Sequence, residues 1–89
     1  MKKFIKRIAA GEGSELPLSL LPTGKHAKIT CIDASDSLRN RFYDFGIMEH
    51  TAVRALYRSP LGDPTAYHIR GAVVAIRADD AAKITVNLK

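Results

Sequence analysis

Residues 58–64, Arg-Ser-Pro-Leu-Gly-Asp-Pro, form a loop sequence between two strand-like segments. Pro60 fixes its own backbone φ, Gly62 can adopt backbone angles closed to other residues, and Pro64 biases Asp63 toward an extended conformation. This composition predicts a loop of defined shape joining two β-strands. Such a loop presents its exposed side chains to a partner at low entropic cost. No side chain in the loop indicates a catalytic centre.

The bulk properties indicate one small soluble domain. The chain has 89 residues, a net charge of +5 and one cysteine, Cys31. A single cysteine allows no disulfide within the chain and no zinc site built from several cysteines. No run approaches the roughly 20 apolar residues that a membrane span needs. We therefore expect a cytoplasmic protein, with recruitment to the inner face of the plasma membrane left open.

The first fifteen residues are predicted to be a basic, flexible extension, and residues 16–89 the folded domain. Residues 1–10 combine apolar side chains with lysines and an arginine, and a Gly-rich polar break follows. One interpretation is a short amphipathic helix that attaches to an anionic membrane surface. The favoured interpretation is a solvated or loosely docked tail, because the segment is short and poorly capped.

The next elements alternate between turn and strand signals. Four leucines lie among the prolines of residues 16–22, which predicts one helical turn laid across the end of a core. Residues 26–33 alternate as a half-buried strand, with one face formed by Ala27, Ile29 and Cys31.

Residues 36–45 are predicted to be the one substantial helix. Ser35 or Asp36 can cap its start. Gly46 is expected to end it as the C′ residue of a Schellman motif, with Ile47 following. The i, i+4, i+7 spacing predicts a single apolar stripe formed by Leu38, Phe42 and Phe45.

After the helix the apolar period changes to two, which is typical of strands. One inward face is predicted for Val53, Ala55 and Tyr57. Gly71 suits a tight hairpin turn, and Asp79 is a candidate cap for a short helical turn over residues 79–83. The pattern predicts a mainly β fold, a small, strongly bent β-barrel of about five short strands with one short helix, because closure shields strand edges.

Taken together, these features resemble the FeoA family. The resemblance is carried by Phe45-Gly46-Ile47, by the loop of residues 58–64, by Ile69-Arg70-Gly71 and by the later strand segments up to residue 88. It implies an SH3-like β-barrel that acts beside FeoB, the ferrous iron permease with a cytosolic GTP-binding domain, and it implies no enzymatic activity. The chain departs from the family at His50, where a glycine is usual. If that turn needs a positive φ, histidine is tolerated there at some cost.

Metal binding is the first chemical hypothesis to weigh. No two histidines have the i, i+4 spacing of a helical metal site, and there is no Cys-x-x-Cys pair. We expect no resident cofactor, with only weak, adventitious divalent metal binding left open. The side chains considered and assigned to surface or packing roles are His26, His50, His68, Cys31, Asp44 and Met48.

Catalysis and nucleic-acid binding are less favoured than protein binding. The chain has no Gly-rich phosphate loop and no nucleophile beside an evident base. The net positive charge is compatible with a phosphate backbone, but the strand arginines alternate outward as solvated residues do. We expect no nucleic-acid partner. The alternative function is a regulatory SH3-like domain that binds nucleic acid or an iron-dependent repressor.

The loop of residues 58–64 and the tyrosines beside it are candidate contacts for a protein partner. Leu61 at the tip of a rigid loop is a candidate anchor, although burial of Leu61 against the barrel end remains an open alternative. Tyr57 and Tyr67 flank the loop as a candidate aromatic groove, and their alternation equally fits core positions. The expected partner is the cytosolic domain of a FeoB-type permease, and self-association stays open. The candidate contacts are Arg58, Pro60, Leu61, Gly62, Asp63, Pro64, Arg70, Tyr57 and Tyr67.

Overall fold

The computed structural model describes residues 15–88 as one antiparallel sheet with three short helices. The strands are β1 Glu15–Pro17, β2 His26–Ile32, β3 Ala52–Arg58, β4 Thr65–Ile69, β5 Ala72–Ile76 and β6 Ile84–Asn87. A 3-10 helix covers Leu18–Leu20, helix α1 covers Asp36–Asp44, and helix α2 covers Ala78–Ala81. The mainly β architecture with one substantial helix confirms the predicted fold class.

The strands follow the order β1-β6-β2-β3-β4-β5, so β1 and β5 are the two edges. The expected count was about five strands, and the sixth is β1, in which Glu15 lies opposite Asn87 of β6. Within residues 15–88, β1 and β5 do not pair with each other, so the sheet stays open instead of closing as a hydrogen-bonded barrel. The predicted extension lies outside the described residues except for Glu15, which belongs to β1.

Helix α1 has the predicted ends. Ser35 Oγ accepts a hydrogen bond from Leu38 N at 3.3 Å, which satisfies one of the free amides of the first turn. Gly46 has φ +82°, and its N–H donates to Tyr43 O at 2.9 Å. Ile47 N donates to the carbonyl of Phe42 at 2.9 Å. These two bonds are those of a Schellman motif, so the predicted helix stop is confirmed.

The leucine-rich entry forms the predicted helical turn over Leu18–Leu20, whereas Leu16 and Pro17 belong to β1. The 3-10 helix places Leu18 and Leu21 in the core, whereas Leu20 is exposed. Leu21 N donates to Leu18 O at 3.0 Å and closes the turn. Further core residues come from five of the six strands: Ala27, Ile29, Val53, Ala55, Tyr67, Ile69, Ile76, Ile84 and Val86.

Two β-bulges overturn part of the predicted alternation. In β3 the register shifts between Ala55 and Tyr57, and in β2 it shifts between Ile29 and Cys31. An extra residue in one strand moves every later side chain to the opposite face. Tyr57 is therefore on the outer face, contrary to the predicted inward phase. Cys31 is only half-buried, and its neighbour Ile32 takes the core position.

Three turn residues, two of them not glycine, have positive φ. His50 has φ +72°, so the turn in which the chain departs from the family does need the left-handed conformation. The hairpin between β4 and β5 has φ +51° at Arg70 and φ +82° at Gly71. Positive φ at both central residues is the requirement of a type I′ turn, which matches the twist of the two strands.

Candidate functional site

The loop of residues 58–64, here the docking loop, is closed by its own backbone. Ser59 N donates to Pro64 O at 3.0 Å across the base of the loop. Gly62 N donates to Ser59 O at 2.8 Å, which makes a β-turn with Pro60 and Leu61 at its centre. Gly62 has φ +90°, a conformation that side chains disfavour. The peptide bond between Asp63 and Pro64 is cis.

Asp63 ties the docking loop to helix α2. Asp63 Oδ1 accepts a hydrogen bond from Ala78 N at 2.8 Å, so it satisfies a free amide at the helix start. This corrects one expectation. Asp79 is not the helix cap, because α2 begins one residue earlier, at Ala78. The loop is held to the domain at a point fifteen residues away in sequence.

The tip of the docking loop is open to solvent. Leu61 is 93% exposed, which decides the alternative left open by the sequence, because the loop does not fold Leu61 onto the sheet. Arg58 and Pro60 are also exposed, and Pro64 is half-buried at the loop base. Leu61 is thus an apolar side chain held in water by a constrained backbone.

The two tyrosines do not form an aromatic groove. Tyr57 is 60% exposed, and Tyr67 is 2% exposed. Tyr67 OH donates to Leu18 O at 3.3 Å, and burial raises the pKa of the Tyr67 hydroxyl. Tyr57 lies opposite Ala66 on the outer face, because the β3 bulge has shifted its phase. Tyr67 is therefore a core residue, and Tyr57 alone remains available for contact.

Arg70 is not beside the docking loop. It follows Ile69 at one end of β4, whereas the docking loop enters β4 at the other end, at Thr65. A Cβ added to Gly46 would lie 2.8 Å from Arg70 Cδ, so the Arg70 side chain packs on the end of α1. The predicted contact set therefore separates into the docking loop and a distant Arg70.

Sequence reasoning missed an apolar groove of about 240 Å³ between α1 and β5. Its helix wall carries the predicted stripe, but Phe45 is 57% exposed and only Phe42 is fully buried. Its strand wall is formed by consecutive residues, Val74, Ala75 and Ile76, and Asp80 also lines it. The sequence signal that could have indicated the groove is Phe45. It occupies the i+7 position of the apolar stripe, one residue before Gly46 ends the helix.

The candidate metal ligands stay dispersed. Among residues 15–88, no three His, Cys, Asp or Glu side chains are placed to hold a metal ion together. His26 and His68 each lie opposite Arg54, one on each side of β3. The expectation of no resident cofactor remains a prediction.

The cations of the sheet point outward, as expected for solvated residues. Arg54, Arg58 and Arg70 are exposed, and so is Arg77 after β5. The expectation of no nucleic-acid partner remains a prediction. In the part of the chain that the structure describes, every helix is too short to cross a bilayer.

Comparison with known proteins gives consistent matches. The FeoA domain model matches residues 16–88. A curated relative from Porphyromonas gingivalis, an Fe(2+) transport protein A/Fe(2+) transporter FeoB fusion protein, is 35% identical over 71 residues. That match covers 80% of this chain and 8% of the relative, so the chain spans less than a tenth of the length of that protein.

Two solved structures show the same fold. The FeoA protein of Chlorobium tepidum has a TM-score of 0.77 and 32% identity, over 82% of this chain and 70% of that one. The FeoA of Stenotrophomonas maltophilia, described as an SH3 domain protein complexed with zinc, has a TM-score of 0.67 and 26% identity over 79% and 87%. These likenesses confirm the predicted SH3-like fold.

Proposed function

This chain belongs to the FeoA domain family, and from that premise we propose that it is a non-enzymatic accessory protein of ferrous iron uptake. It docks on the cytosolic GTP-binding domain of a FeoB-type permease and modulates it. The observation that carries this proposal is the fused relative, in which a segment similar to this chain is part of the same polypeptide as a FeoB transporter. The protein acts in the cytoplasm and reaches the membrane only through its partner.

The fusion supports association through a simple concentration argument. Joining two modules in one chain gives each an effective concentration in the millimolar range for the other. A separate chain lacks this advantage, so its docking needs a surface with adequate affinity of its own. The docking loop is our candidate for that surface.

The docking loop suits this role because it loses little conformational entropy when it binds. Two backbone hydrogen bonds and the bond from Ala78 N to Asp63 already hold its shape. Burying a leucine side chain contributes roughly 1.5–3 kcal/mol, and Leu61 has nearly all of its surface still to bury. Arg58, the first residue of the docking loop, and Tyr57, which precedes it on β3, extend the contact surface.

Modulation follows from differential binding. The adaptor can shift the permease between conformations only if it binds one of them more tightly. A GTP-binding domain has nucleotide-dependent conformations, so the affinity of this chain is expected to depend on the bound nucleotide.

Calorimetry of this chain against the soluble GTP-binding domain, with and without guanine nucleotide, tests the proposal. We expect saturable binding that changes with nucleotide. Leu61→Glu should weaken binding at least tenfold while the chain stays folded. Leu20→Glu is the matched control, because Leu20 is also an exposed leucine, at 64%, and lies outside the loop.

Three outcomes contradict the proposal: no binding in either nucleotide state, equal affinity of the Leu61→Glu variant, or equal losses in both variants. The regulatory alternative is tested on the same sample with duplex DNA. Affinity that falls steeply with salt is the mark of phosphate contacts.

A further inference from the structure

Strand β5 is an edge strand without charge, proline or bulge. It pairs only with β4 within residues 15–88, and its five residues, Ala-Val-Val-Ala-Ile, carry no charge and no proline. Natural edge strands are typically short, charged, bulged, interrupted by proline or covered by another element. The pairing of β5 with β4 runs without a bulge from Ile69↔Ala72 to Thr65↔Ile76. This edge is thus regular, apolar and open.

The register shows which backbone groups of β5 are free. In a two-residue hairpin the residues that flank the turn, here Ile69 and Ala72, form a hydrogen-bonded pair. The N–H and C=O groups of alternate residues therefore point toward β4, and those of Val73 and Ala75 point away from it. Within residues 15–88, the backbone groups of Val73 and Ala75 have no other partner. Two donors and two acceptors thus face outward at the spacing of an extended strand.

The groove runs along this edge. Side chains of consecutive strand residues point to opposite faces, yet Val74, Ala75 and Ile76 all line the groove. It therefore lies beside the strand and not over one of its faces. Helix α1 forms the far wall through Leu38 and Phe45. The helix wall retains exposed apolar surface, because Phe45 is 57% exposed.

We propose that an extended, uncharged apolar segment of a partner protein binds in this groove as an added strand on β5. Its backbone bonds to Val73 and Ala75. Its central residue lies opposite Val74 and points into the space between Val74 and the helix wall. This inference goes beyond the proposed function and does not depend on it.

The chemistry of the occupant follows from the walls. The charged side chains that line the groove are Arg41 and Asp80. Their charges have opposite signs and sum to zero, so the groove favours an uncharged segment. The strand itself contributes only apolar side chains. A second folded copy is a poorer occupant, because residues of α1 form one wall of the groove beside this edge and obstruct the approach of a second sheet. Strand addition beside a helix is a known mode of peptide recognition, in which backbone bonds give affinity and pockets for alternate side chains give specificity.

The probe is a library of random ten-residue peptides displayed on phage and selected on the full chain. We expect enrichment of uncharged peptides with a β-branched or aromatic residue between two residues of high strand propensity. A synthetic peptide of the enriched sequence is then titrated into the chain and its variants. Ala75→Pro removes the outward N–H and leaves the bonds to β4, and it should weaken binding about tenfold or more.

Matched variants and one modified peptide make the result specific. Ala75→Ser keeps the N–H and should bind like the unaltered chain, as should Leu61→Glu. Phe45→Ser removes an exposed apolar side chain from the helix wall and should also weaken binding. It is the second test of the groove if Ala75→Pro does not fold. Methylation of the two peptide nitrogens that face Val73 and Ala75 should abolish binding without changing the protein.

The outcomes separate cleanly. Binding that is lost with Ala75→Pro, with Phe45→Ser and with the methylated peptide supports strand addition. Failure to enrich any peptide family overturns the proposal. So does an enriched peptide that binds the methylated form or both variants unchanged. Because no permease domain enters this experiment, its failure leaves the proposed function standing, and the reverse also holds.

Discussion

The two edges of the sheet differ in whether their residues discourage the addition of another strand. Edge strand β1 has three residues, and two of them, Glu15 and Pro17, belong to the residue types that discourage strand addition. The chain then turns directly into the 3-10 helix, whose Leu18 is fully buried. Edge strand β5 has five apolar residues, no interruption and a groove at its side.

The difference shows where this small domain closes its core and where it leaves surface exposed. The β1 edge is joined to the interior through Leu18 and the hydroxyl of Tyr67. The β5 edge contributes Ile76 to the core, while its outward backbone groups and Val73 face solvent. An edge that a fold leaves apolar and unpaired is an aggregation liability unless something uses it. The following four changes test this contrast, beginning with the largest expected effect.

Leu18→Ala should reduce the free energy of unfolding by about 2–5 kcal/mol, because it leaves a cavity at a fully buried position. Leu20→Ala in the same 3-10 helix is the control and should change stability by less than about 0.5 kcal/mol. Urea unfolding of both variants measures the difference. Similar losses would mean that the β1 edge is not anchored through Leu18.

Gly46→Ala should cost more than Gly71→Ala, although both glycines have φ +82°. The shared backbone cost is about 1–2 kcal/mol. A Cβ at Gly46 would also meet Arg70 Cδ at 2.8 Å, whereas a Cβ at Gly71 meets nothing within 4 Å. Thermal unfolding measures both variants. Adding Arg70→Ala to Gly46→Ala should recover the excess, and no recovery would show that Arg70 does not pack on the end of α1.

Tyr67→Phe should cost about 1 kcal/mol at neutral pH, through loss of the hydrogen bond to Leu18 O. Burial raises the pKa of Tyr67 in the folded state, so the unfolded chain ionises first, near pH 10. The stability that depends on the neutral hydroxyl is thus present below about pH 10 and is lost as the pH rises through the folded pKa.

Unfolding measured from pH 8 to pH 11 should show the difference between the unaltered chain and Tyr67→Phe shrinking above about pH 10. Tyr57→Phe, at an exposed position, should follow the unaltered chain throughout. A constant difference across that range would argue against a buried Tyr67 hydroxyl.

Val73→Lys should change the free energy of unfolding by less than about 0.5 kcal/mol, because the side chain is already exposed on the β5 edge. The matched change at the other edge, Leu16→Lys, should cost more than about 1 kcal/mol, because Leu16 packs against the core. Chemical unfolding of the pair ranks the two edges. A reversed order would refute the assignment of β5 as the edge that folding leaves free.

Much of the fold was predictable because it depends on neighbours in sequence. The helix stop at Gly46 and the hairpin at Gly71 follow from the freedom of glycine to adopt positive φ. The cap at Ser35 follows from a side-chain oxygen that reaches an amide three residues later. The inward phase of β4 and β6 follows from strict alternation. The docking loop was likewise predictable in shape, since two prolines limit its backbone and Gly62 permits the positive φ of its turn.

The candidate sites were less predictable. Exposure of Leu61 could not be decided from the loop sequence, because that loop could equally fold back onto the sheet. The role of Asp63 depends on Ala78, fifteen residues away. Tyr57 and Tyr67 have the same apparent alternation, and only the bulge in β3 separates an exposed side chain from a buried one.

The sequence by itself determined the β-rich class, the ends of helix α1, the family likeness and the rigid loop. These rest on local backbone energetics and on apolar periodicity, which a linear pattern carries. The tertiary structure alone decided the bulged registers, the identity of the two edges, the attachment of Asp63 to α2 and the groove beside β5. Each of these depends on which distant segments pair and with what offset, and a shift of one residue in a strand exchanges its buried and exposed faces.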